Sequence, residues 1–202
     1  MIRAIQTYSS SYLRRHRNTH AKHAVFGTHQ HHYLRGHIQE LVRVLTGAGK
    51  VTPNLLDYGC GKGVFLDEMR KLGIFGQAAG YDPAVSRFSN RPDRVFDLVT
   101  CLDVLDQVED EFVPAAIEDV AQFTGSLALF SIITKQSPKF VHLQPRSAAV
   151  WDLLIGQQMK VLSNEVRTAS AWEIANEGAC PERVIIVAAP LASGQLAGGQ
   201  GE

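Results

Sequence analysis

The stretch Leu55-Leu56-Asp57-Tyr58-Gly59-Cys60-Gly61-Lys62-Gly63 decides the fold of this chain. In it an apolar strand runs into an acidic residue and then into three glycines at alternate positions. Glycines permit a tight turn between a strand and a helix, and they let backbone N–H groups approach a ligand that a Cβ atom would hold away. The pattern predicts a nucleotide-like cofactor at the end of a buried strand. A tight strand-helix turn without a ligand is the alternative interpretation.

Strands and helices alternate on both sides of this turn, which is typical of a three-layer α/β sandwich with a mainly parallel, Rossmann-like sheet. The continuous apolar run at 127–133 indicates a strand that is buried on both faces. Gly73 is placed to end the helix that follows the glycines. The expected strands are residues 55–58, 77–81, 97–102, 127–133, 160–167 and 183–188, and the expected helices are 38–45, 64–72, 111–123 and 147–158.

Length and composition favour one domain, because 202 residues with 45% hydrophobic content can bury one substantial core. We expect an N-terminal arm at 1–50, a catalytic-type domain at 51–190 and a disordered tail at 191–202. The sequence has neither a long apolar run nor a secretory signal pattern, so we expect a soluble, cytoplasmic protein. Its three cysteines are widely spaced, and we expect them to be free thiols.

The net charge of zero conceals a strong asymmetry along the chain. The first 50 residues hold eight Lys or Arg against one Glu, together with seven of the eight histidines. Two interpretations are open. A basic arm can pack on an acidic body, or it can form a wall of the active site and attract an anionic substrate. Nucleic acid is a weaker third option, since aromatic residues are not interleaved with the charges.

A second feature adds to the glycine turn. Asp82 lies nineteen residues beyond Gly63, at the end of the next expected strand, where a carboxylate can accept both hydroxyls of a ribose. Dinucleotide-binding enzymes use the spacing GxGxxG, whereas this chain has GxGxG. A nicotinamide-dependent oxidoreductase therefore fits the sequence less well than an enzyme whose cofactor lacks a pyrophosphate.

The chain resembles the class I S-adenosylmethionine-dependent methyltransferases. The resemblance rests on the glycine turn, on Gly80-Tyr81-Asp82-Pro83, on the run from Phe96 to Leu105 and on the apolar strand at 127–133, and it covers about residues 50–190. It implies S-adenosylmethionine as cofactor and a seven-stranded sheet whose last strands pair antiparallel. No metal is implied.

The resemblance also implies which residues contact the cofactor. Asp57 and the glycines would line its methionine and ribose side, Asp82 would hold the ribose hydroxyls, and Leu102 to Val104 would form the floor near the sulfonium. The full set of expected cofactor-binding residues is Asp57, Tyr58, Gly59, Cys60, Gly61, Tyr81, Asp82, Pro83, Leu102, Asp103 and Val104.

Two departures from the family pattern bear on the prediction. Only thirteen residues separate Asp82 from Phe96, where the family fits a helix, a third strand and an adenine-contacting acidic loop. We therefore expect a shortened third-strand region. Asp106-Gln107 stands where many small-molecule members have a Glu-His pair, and a glutamine cannot act as a base at neutral pH.

Candidate catalytic residues follow from their positions near the expected mouth of the site. His142 follows the expected strand at 127–133, His29 belongs to the histidine-rich segment that could fold over the cofactor as a lid, and Asp106 follows the expected strand at 97–102. Each has a structural alternative: a solvated loop histidine for the first two, and a helix cap for Asp106. His16, His20 and His23 have the spacing of one helical face, but the arginines beside them disfavour a metal.

The function predicted from the sequence is methyl transfer by in-line displacement to a small-molecule or glycan-type acceptor, with an anionic acceptor favoured if the arm lines the site. A module that binds a cofactor or a partner without catalysis is the main alternative. A methyltransferase acting on protein or nucleic acid is less favoured, because no basic groove is evident outside the arm. The sequence does not predict the oligomeric state.

Overall fold

The computed structural model describes residues 2–28, 31–135, 146–170, 174 and 182–192. These residues form one mixed sheet that is covered by helices. The helices are α1 (Ser10–Lys22), α2 (Arg35–Gly47), α3 (Val64–Leu72), α4 (Val113–Phe123) and α5 (Ala148–Gly156). The strands are β1 (Asn54–Tyr58), β2 (Gln77–Tyr81), β3 (Phe96–Leu102), β4 (Thr124–Ile133), β5 (Met159–Thr168) and β6 (Glu182–Pro190).

Among the described residues the sheet has six strands in the order β2-β1-β3-β4-β6-β5, one fewer than the seven that the resemblance implies. The first four strands are parallel, and β6 pairs antiparallel with both β4 and β5, which confirms the expected pairing of the last strands. The shortened third-strand region is also confirmed. Between β2 and β3 the chain forms a single 3-10 turn at Ser86–Phe88 and then crosses to the other side of β1.

Two hydrophobic cores lie on opposite faces of the sheet, which confirms the three-layer architecture. Adjacent strand residues alternate between them, as Leu55 faces one core and Leu56 the other. Helices α4 and α5 cover one face, where Trp151 is fully buried. Helices α2 and α3 cover the other face. Helix α2 therefore belongs to the layers of the domain, and residues 2–28 are the part of the arm that lies outside them.

The segment 2–28, which we call the arm from here on, is fastened to the domain near the carboxyl ends of the parallel strands. Ser9 caps α1 by accepting a hydrogen bond from the Tyr12 amide at 3.0 Å. The Ser9 amide and hydroxyl also donate to the Glu109 carboxylate at 2.9 and 2.6 Å. Arg3 pairs with Glu118. These contacts lay α1 across the edge of the sheet at which α/β folds bind ligands.

Within the described ranges, no helix is long and apolar enough to cross a membrane. Cys60 and Cys101 are free and buried, as expected from the sequence. Cys180 and the expected disordered tail beyond residue 192 lie outside the described residues.

Candidate active site

The glycine turn joins β1 to α3 in the way the sequence predicts. Gly59 has φ of 76°, in the left-handed region that favours glycine. Its amide donates to the carbonyl of Tyr81 at 2.7 Å, and a Cβ atom at this position would come within 2.3 Å of the Val104 side chain. The end of β1 can lie this close to β2 and β3 because residue 59 has no side chain.

Gly61 brings the arm onto the turn, which the sequence did not indicate. A Cβ atom on Gly61 would lie 2.7 Å from the carbonyl oxygen of Gly27 and 2.8 Å from its Cα atom. The next amide, that of Lys62, donates to the same Gly27 oxygen at 2.8 Å. The Lys62 ammonium donates to the carbonyls of His23 and Ala24 at 2.7 and 2.8 Å, just beyond the last turn of α1. Lys62 thus fastens the arm to the turn.

Asp82 shapes the turn from the neighbouring strand. Its carboxylate accepts hydrogen bonds from the Gly61 amide at 3.0 Å and from the Ala84 amide at 2.8 Å. The residue is 8% exposed, and burial raises the pKa of Asp82, while these amides and the nearby His20 lower it. Each carboxylate oxygen has a second lone pair, so Asp82 can still accept hydrogen bonds from ribose hydroxyls.

Asp57 is the other buried acid of the turn. It is 4% exposed and accepts a hydrogen bond from the Thr100 hydroxyl at 2.8 Å. Burial raises the pKa of Asp57 to about 7, an effect that the Thr100 hydrogen bond opposes and the charge of Asp82 reinforces. A cationic ligand group beside Asp57 would therefore favour the ionised form near neutral pH.

A cavity of about 750 Å³ opens above these residues. Ligand cavities in proteins commonly measure roughly 300–1,000 Å³. Ten of the eleven residues expected to bind the cofactor line it: Asp57, Tyr58, Gly59, Cys60, Gly61, Asp82, Pro83, Leu102, Asp103 and Val104. The exception is Tyr81, whose ring packs in the core at 5.5 Å from the ring of Tyr58, while its carbonyl holds the glycine turn.

A buried polar cluster borders the cavity, and we call it the Arg183 network; it is formed by Arg183, Asp103, Tyr33 and Ser131. Arg183 donates to the Asp103 carboxylate at 2.7 Å and to the Ser131 hydroxyl at 3.0 Å, and it also contacts the Tyr33 hydroxyl. The Tyr33 and Ser131 hydroxyls are 2.9 Å apart. Burial raises the pKa of Tyr33, so its hydroxyl keeps its proton.

Asp103 occupies an unusual backbone conformation in this network. Its φ is 55°, although it is not a glycine, and such a conformation costs about 1–3 kcal/mol. Its amide donates to the Ser131 carbonyl at 2.8 Å, and its own carbonyl accepts from the Gln107 side chain at 2.6 Å. These two bonds hold the Asp103 carboxylate against Arg183. Gln107, which cannot serve as a base, therefore has a role in fixing this loop.

The predicted catalytic residues have different outcomes. His142 and His29 lie outside the described residues. Asp106 is 2% exposed and does not line the cavity, so the structure does not bring it to the site. His31, from the same histidine-rich segment as His29, does line the cavity. Its Nδ1 atom is 3.2 Å from the Tyr33 hydroxyl and 4.0 Å from the Asp103 carboxylate.

The three histidines of α1 and its C-cap, His16, His20 and His23, do not come together as the ligands of a metal site would. His16 and His20 line the cavity, whereas His23 is the C-cap residue of α1. Burial, together with the charge of Arg15, lowers the pKa of His16 to about 4, so its imidazole is neutral at physiological pH. No three His, Cys, Asp or Glu side chains of the described residues come together as possible metal ligands.

Sequence reasoning missed several residues of the cavity wall. Tyr12 and Phe26 come from the arm, and Arg167 and Arg183 come from the last two strands. The i, i+4 spacing of Tyr8, Tyr12, His16 and His20 was a signal for a shared helical face. For Arg183 the sequence offered only a weaker indication, that of a charged residue at the start of an otherwise apolar strand.

Comparisons with known proteins place the fold. Residues 28–172, more than half of the chain, match the family described as methyltransferase domain. No curated protein matches the sequence. The fold is similar to that of magnesium protoporphyrin IX methyltransferase from Synechocystis PCC 6803 with bound SAH, at 16% identity and a TM-score of 0.59, over 89% of this chain and 99% of that one. It is also similar to the PH0226 protein from Pyrococcus horikoshii OT3, at 15% identity and a TM-score of 0.53, over 84% and 98% of the two chains.

Proposed function

This chain belongs to the methyltransferase-domain family, and from that premise we propose that it is an S-adenosylmethionine-dependent methyltransferase with a small-molecule acceptor. One observation carries the proposal. A single cavity joins the glycine turn and its two buried acids, Asp57 and Asp82, to the Arg183 network. It offers space for a cofactor at one end and for an acceptor at the other.

The residues at the glycine turn fit S-adenosylmethionine. Asp82 is buried, faces the cavity and retains lone pairs for the ribose hydroxyls. Asp57 is placed to receive the ammonium of the methionine part, directly or through water. Leu102 and Val104 give an apolar floor on which a sulfonium can rest. When bound, this cofactor supplies an activated methyl group, and the protein supplies binding and orientation.

Orientation is the main catalytic task of the chain in such a reaction. Methyl transfer is an in-line displacement, and holding the acceptor close to and collinear with the methyl group supplies much of the acceleration. The arm serves this task because α1 covers the cavity and limits the access of water. An acceptor that is already ionised needs no base. For an acceptor that keeps a proton, His31 is the candidate base, because Asp103 would stabilise the resulting imidazolium.

The acceptor end of the cavity favours an anionic group. Arg183 and Arg167 both line it, and their guanidinium carbons lie 4.4 and 5.0 Å from the ring centroid of Tyr33. Guanidinium groups match carboxylate and phosphate oxygens in geometry as well as in charge. We therefore propose a small acceptor that carries a carboxylate or phosphate.

Calorimetric titration tests the cofactor. We expect S-adenosylmethionine and S-adenosylhomocysteine to bind and NAD not to bind, and the reverse result would overturn the proposal. Asp82→Asn should weaken binding by about 1.5–3 kcal/mol, the value of a hydrogen bond to a charged group. Unchanged affinity in this variant would remove the ribose assignment.

A screen of small-molecule acceptors with a methyl-labelled donor tests the reaction. We expect label to accumulate on carboxylate- or phosphate-bearing compounds and to fall in Arg167→Met at an unchanged cofactor affinity. A protein that binds the cofactor but labels nothing across the library would be a binding module without catalysis, and the enzymatic part of the proposal would then be wrong.

A further inference from the structure

The connection between β2 and β3 is short, and of its residues Asp82, Pro83 and Ala84 line the cavity. Residues 82–95 form only the 3-10 turn Ser86–Phe88, and β2 is the edge of the sheet. This segment folds back on itself, since the Asp82 amide donates to the Phe88 carbonyl at 3.0 Å. Its other acid, Asp93, is exposed and does not line the cavity. An acidic adenine-contacting loop is therefore absent from residues 82–95.

The arm fills this side of the cavity with aromatic side chains. We call Tyr8, Tyr12, His16, His20 and Phe26 the aromatic wall, because all five line the cavity. The Tyr12 and His16 rings are stacked at a centroid distance of 4.0 Å, and those of Tyr8 and Tyr12 at 6.1 Å. The His20 and Phe26 rings meet edge to face at 4.8 Å. Tyr12, His16 and His20 recur at intervals of four, so α1 presents them on one face, and Tyr8 precedes the helix.

The aromatic wall lies beside the acid that is placed for the ribose. Arg17, on α1, approaches the carbonyl of Pro83 at 3.4 Å, which brings the helix against the Asp82-Pro83 turn. The charges of His20 and Asp82 each act on the pKa of the other, so the two side chains are neighbours. The Nδ1 atom of His20 is buried and has no hydrogen-bond partner among the described residues. A buried polar atom of this kind calls for a partner, and a ligand in the cavity can provide one.

We propose, on the basis of the function proposed above, that the aromatic wall of the arm binds the adenosyl part of the cofactor in place of the absent loop. Tyr12 and His16 pack against the adenine, and His20 shares the ribose with Asp82. Aromatic side chains suit a nucleobase because every base has a π-face. The low pKa of His16 keeps this surface uncharged at neutral pH, which suits a neutral purine.

One consequence is that the arm belongs to the cofactor site rather than only to the acceptor site. Cofactor binding should therefore protect the arm, and damage to the aromatic wall should weaken binding of the nucleoside itself. Neither result is expected if α1 merely covers the acceptor. The distinction can be measured without any acceptor and without turnover.

The experiment is calorimetric titration of the full chain with S-adenosylhomocysteine and with 5′-methylthioadenosine, which keeps the nucleoside and lacks the amino-acid part. The variants are Tyr12→Leu and His16→Leu, with Asn18→Leu as the matched control on the exposed face of the same helix. Loss of one stacked aromatic should weaken both ligands by about 5- to 150-fold. Asn18→Leu should change either affinity less than about twofold.

Tyr12→Phe keeps the ring and should bind nearly as the unmodified protein does, which separates the stacking surface from any damage to folding. If the unmodified protein binds neither ligand, the proposed function itself is wrong. If it binds both and the two leucine variants bind them equally well, the aromatic wall does not hold the cofactor. If only S-adenosylhomocysteine is weakened, the wall contacts the amino-acid part and the adenosyl assignment is wrong.

Discussion

Replacing Gly61 by alanine should release the arm from the glycine turn. Gly61 has φ of 53°, and its missing Cβ is the reason that the backbone of Gly27 can approach so closely. An alanine there would put its Cβ atom 2.7 Å from the Gly27 oxygen, a distance at which one of the two backbones must move. We expect this movement to break the hydrogen bond from the Lys62 amide to the same oxygen, which is 2.8 Å long in the intact structure.

The size of the effect follows from two contributions. A left-handed conformation costs a residue with a side chain about 1–2 kcal/mol. Loss of the hydrogen bond between Lys62 and Gly27 adds about 0.5–1.5 kcal/mol. Gly73→Ala is the matched control, because Gly73 has φ of 66° but nothing within 4 Å of the position of a Cβ atom. Gly73→Ala should therefore show the cost of the left-handed conformation but no loss of a hydrogen bond.

Hydrogen exchange of residues 2–28 measures the difference without any ligand. An extra destabilisation of about 1 kcal/mol, acting on the arm, corresponds to roughly fivefold faster exchange in Gly61→Ala than in Gly73→Ala. Trypsin cleavage at Arg14, Arg15 and Arg17 should accelerate by a similar factor. Equal exchange rates in the two variants, at similar global stability, would refute the claim that the Gly61 contact holds the arm down.

Three further predictions concern single side chains. Lys62→Met should also speed hydrogen exchange of the arm about fivefold. The Lys62 ammonium donates to the His23 and Ala24 carbonyls, and at this partly exposed position these bonds contribute about 1 kcal/mol. Lys62→Arg should retain most of the protection from exchange. The affinity for S-adenosylhomocysteine should rise about tenfold from pH 6 to pH 8, because the Asp57 carboxyl, with a pKa of about 7, must release its proton to pair with the ligand's ammonium. Asp57→Asn should lose this pH dependence. An affinity that does not change with pH in the unmodified protein would contradict the assignment of Asp57. Arg91→Met should lower the free energy of unfolding in urea by about 3–5 kcal/mol, because it leaves the buried Asp119 carboxylate without its cation; a loss below about 1 kcal/mol would show that the pair contributes little.

The glycine turn and the position of Asp82 beside it could be predicted from sequence because the information is local. Apolar strand residues, three glycines at fixed spacing and an acid after the next strand lie within 28 residues, from Leu55 to Asp82. Because β1 and β2 pair directly, the glycine turn and Asp82 come together at the ends of neighbouring strands. This contact does not depend on distant parts of the chain. Tyr81 shows the limit of this logic. Strand alternation turns its ring into the core, and its carbonyl accepts the hydrogen bond from the Gly59 amide.

The Arg183 network could not be predicted because its members are distant from one another in sequence. Arg183 is 150 residues from Tyr33, 80 from Asp103 and 52 from Ser131. They meet because β6 inserts antiparallel beside β4, and no local pattern states which residue of β6 will face the cavity. The prediction of His142 and His29 rests on residue type and approximate position, and both residues lie outside the described part of the chain.

The charge asymmetry of the chain can now be interpreted residue by residue. The basic residues of α1, Arg14, Arg15, Arg17 and Lys22, are all exposed, whereas the face of α1 toward the cavity is aromatic. Outside α1, Arg3 binds Glu118 on the domain, as a basic arm on an acidic body would. The positive charge of the arm therefore does not line the cavity, and the guanidinium groups that do line it belong to Arg167 and Arg183. We therefore expect an anionic acceptor to meet Arg167 and Arg183 on the last two strands, whereas the described part of the arm presents a neutral surface.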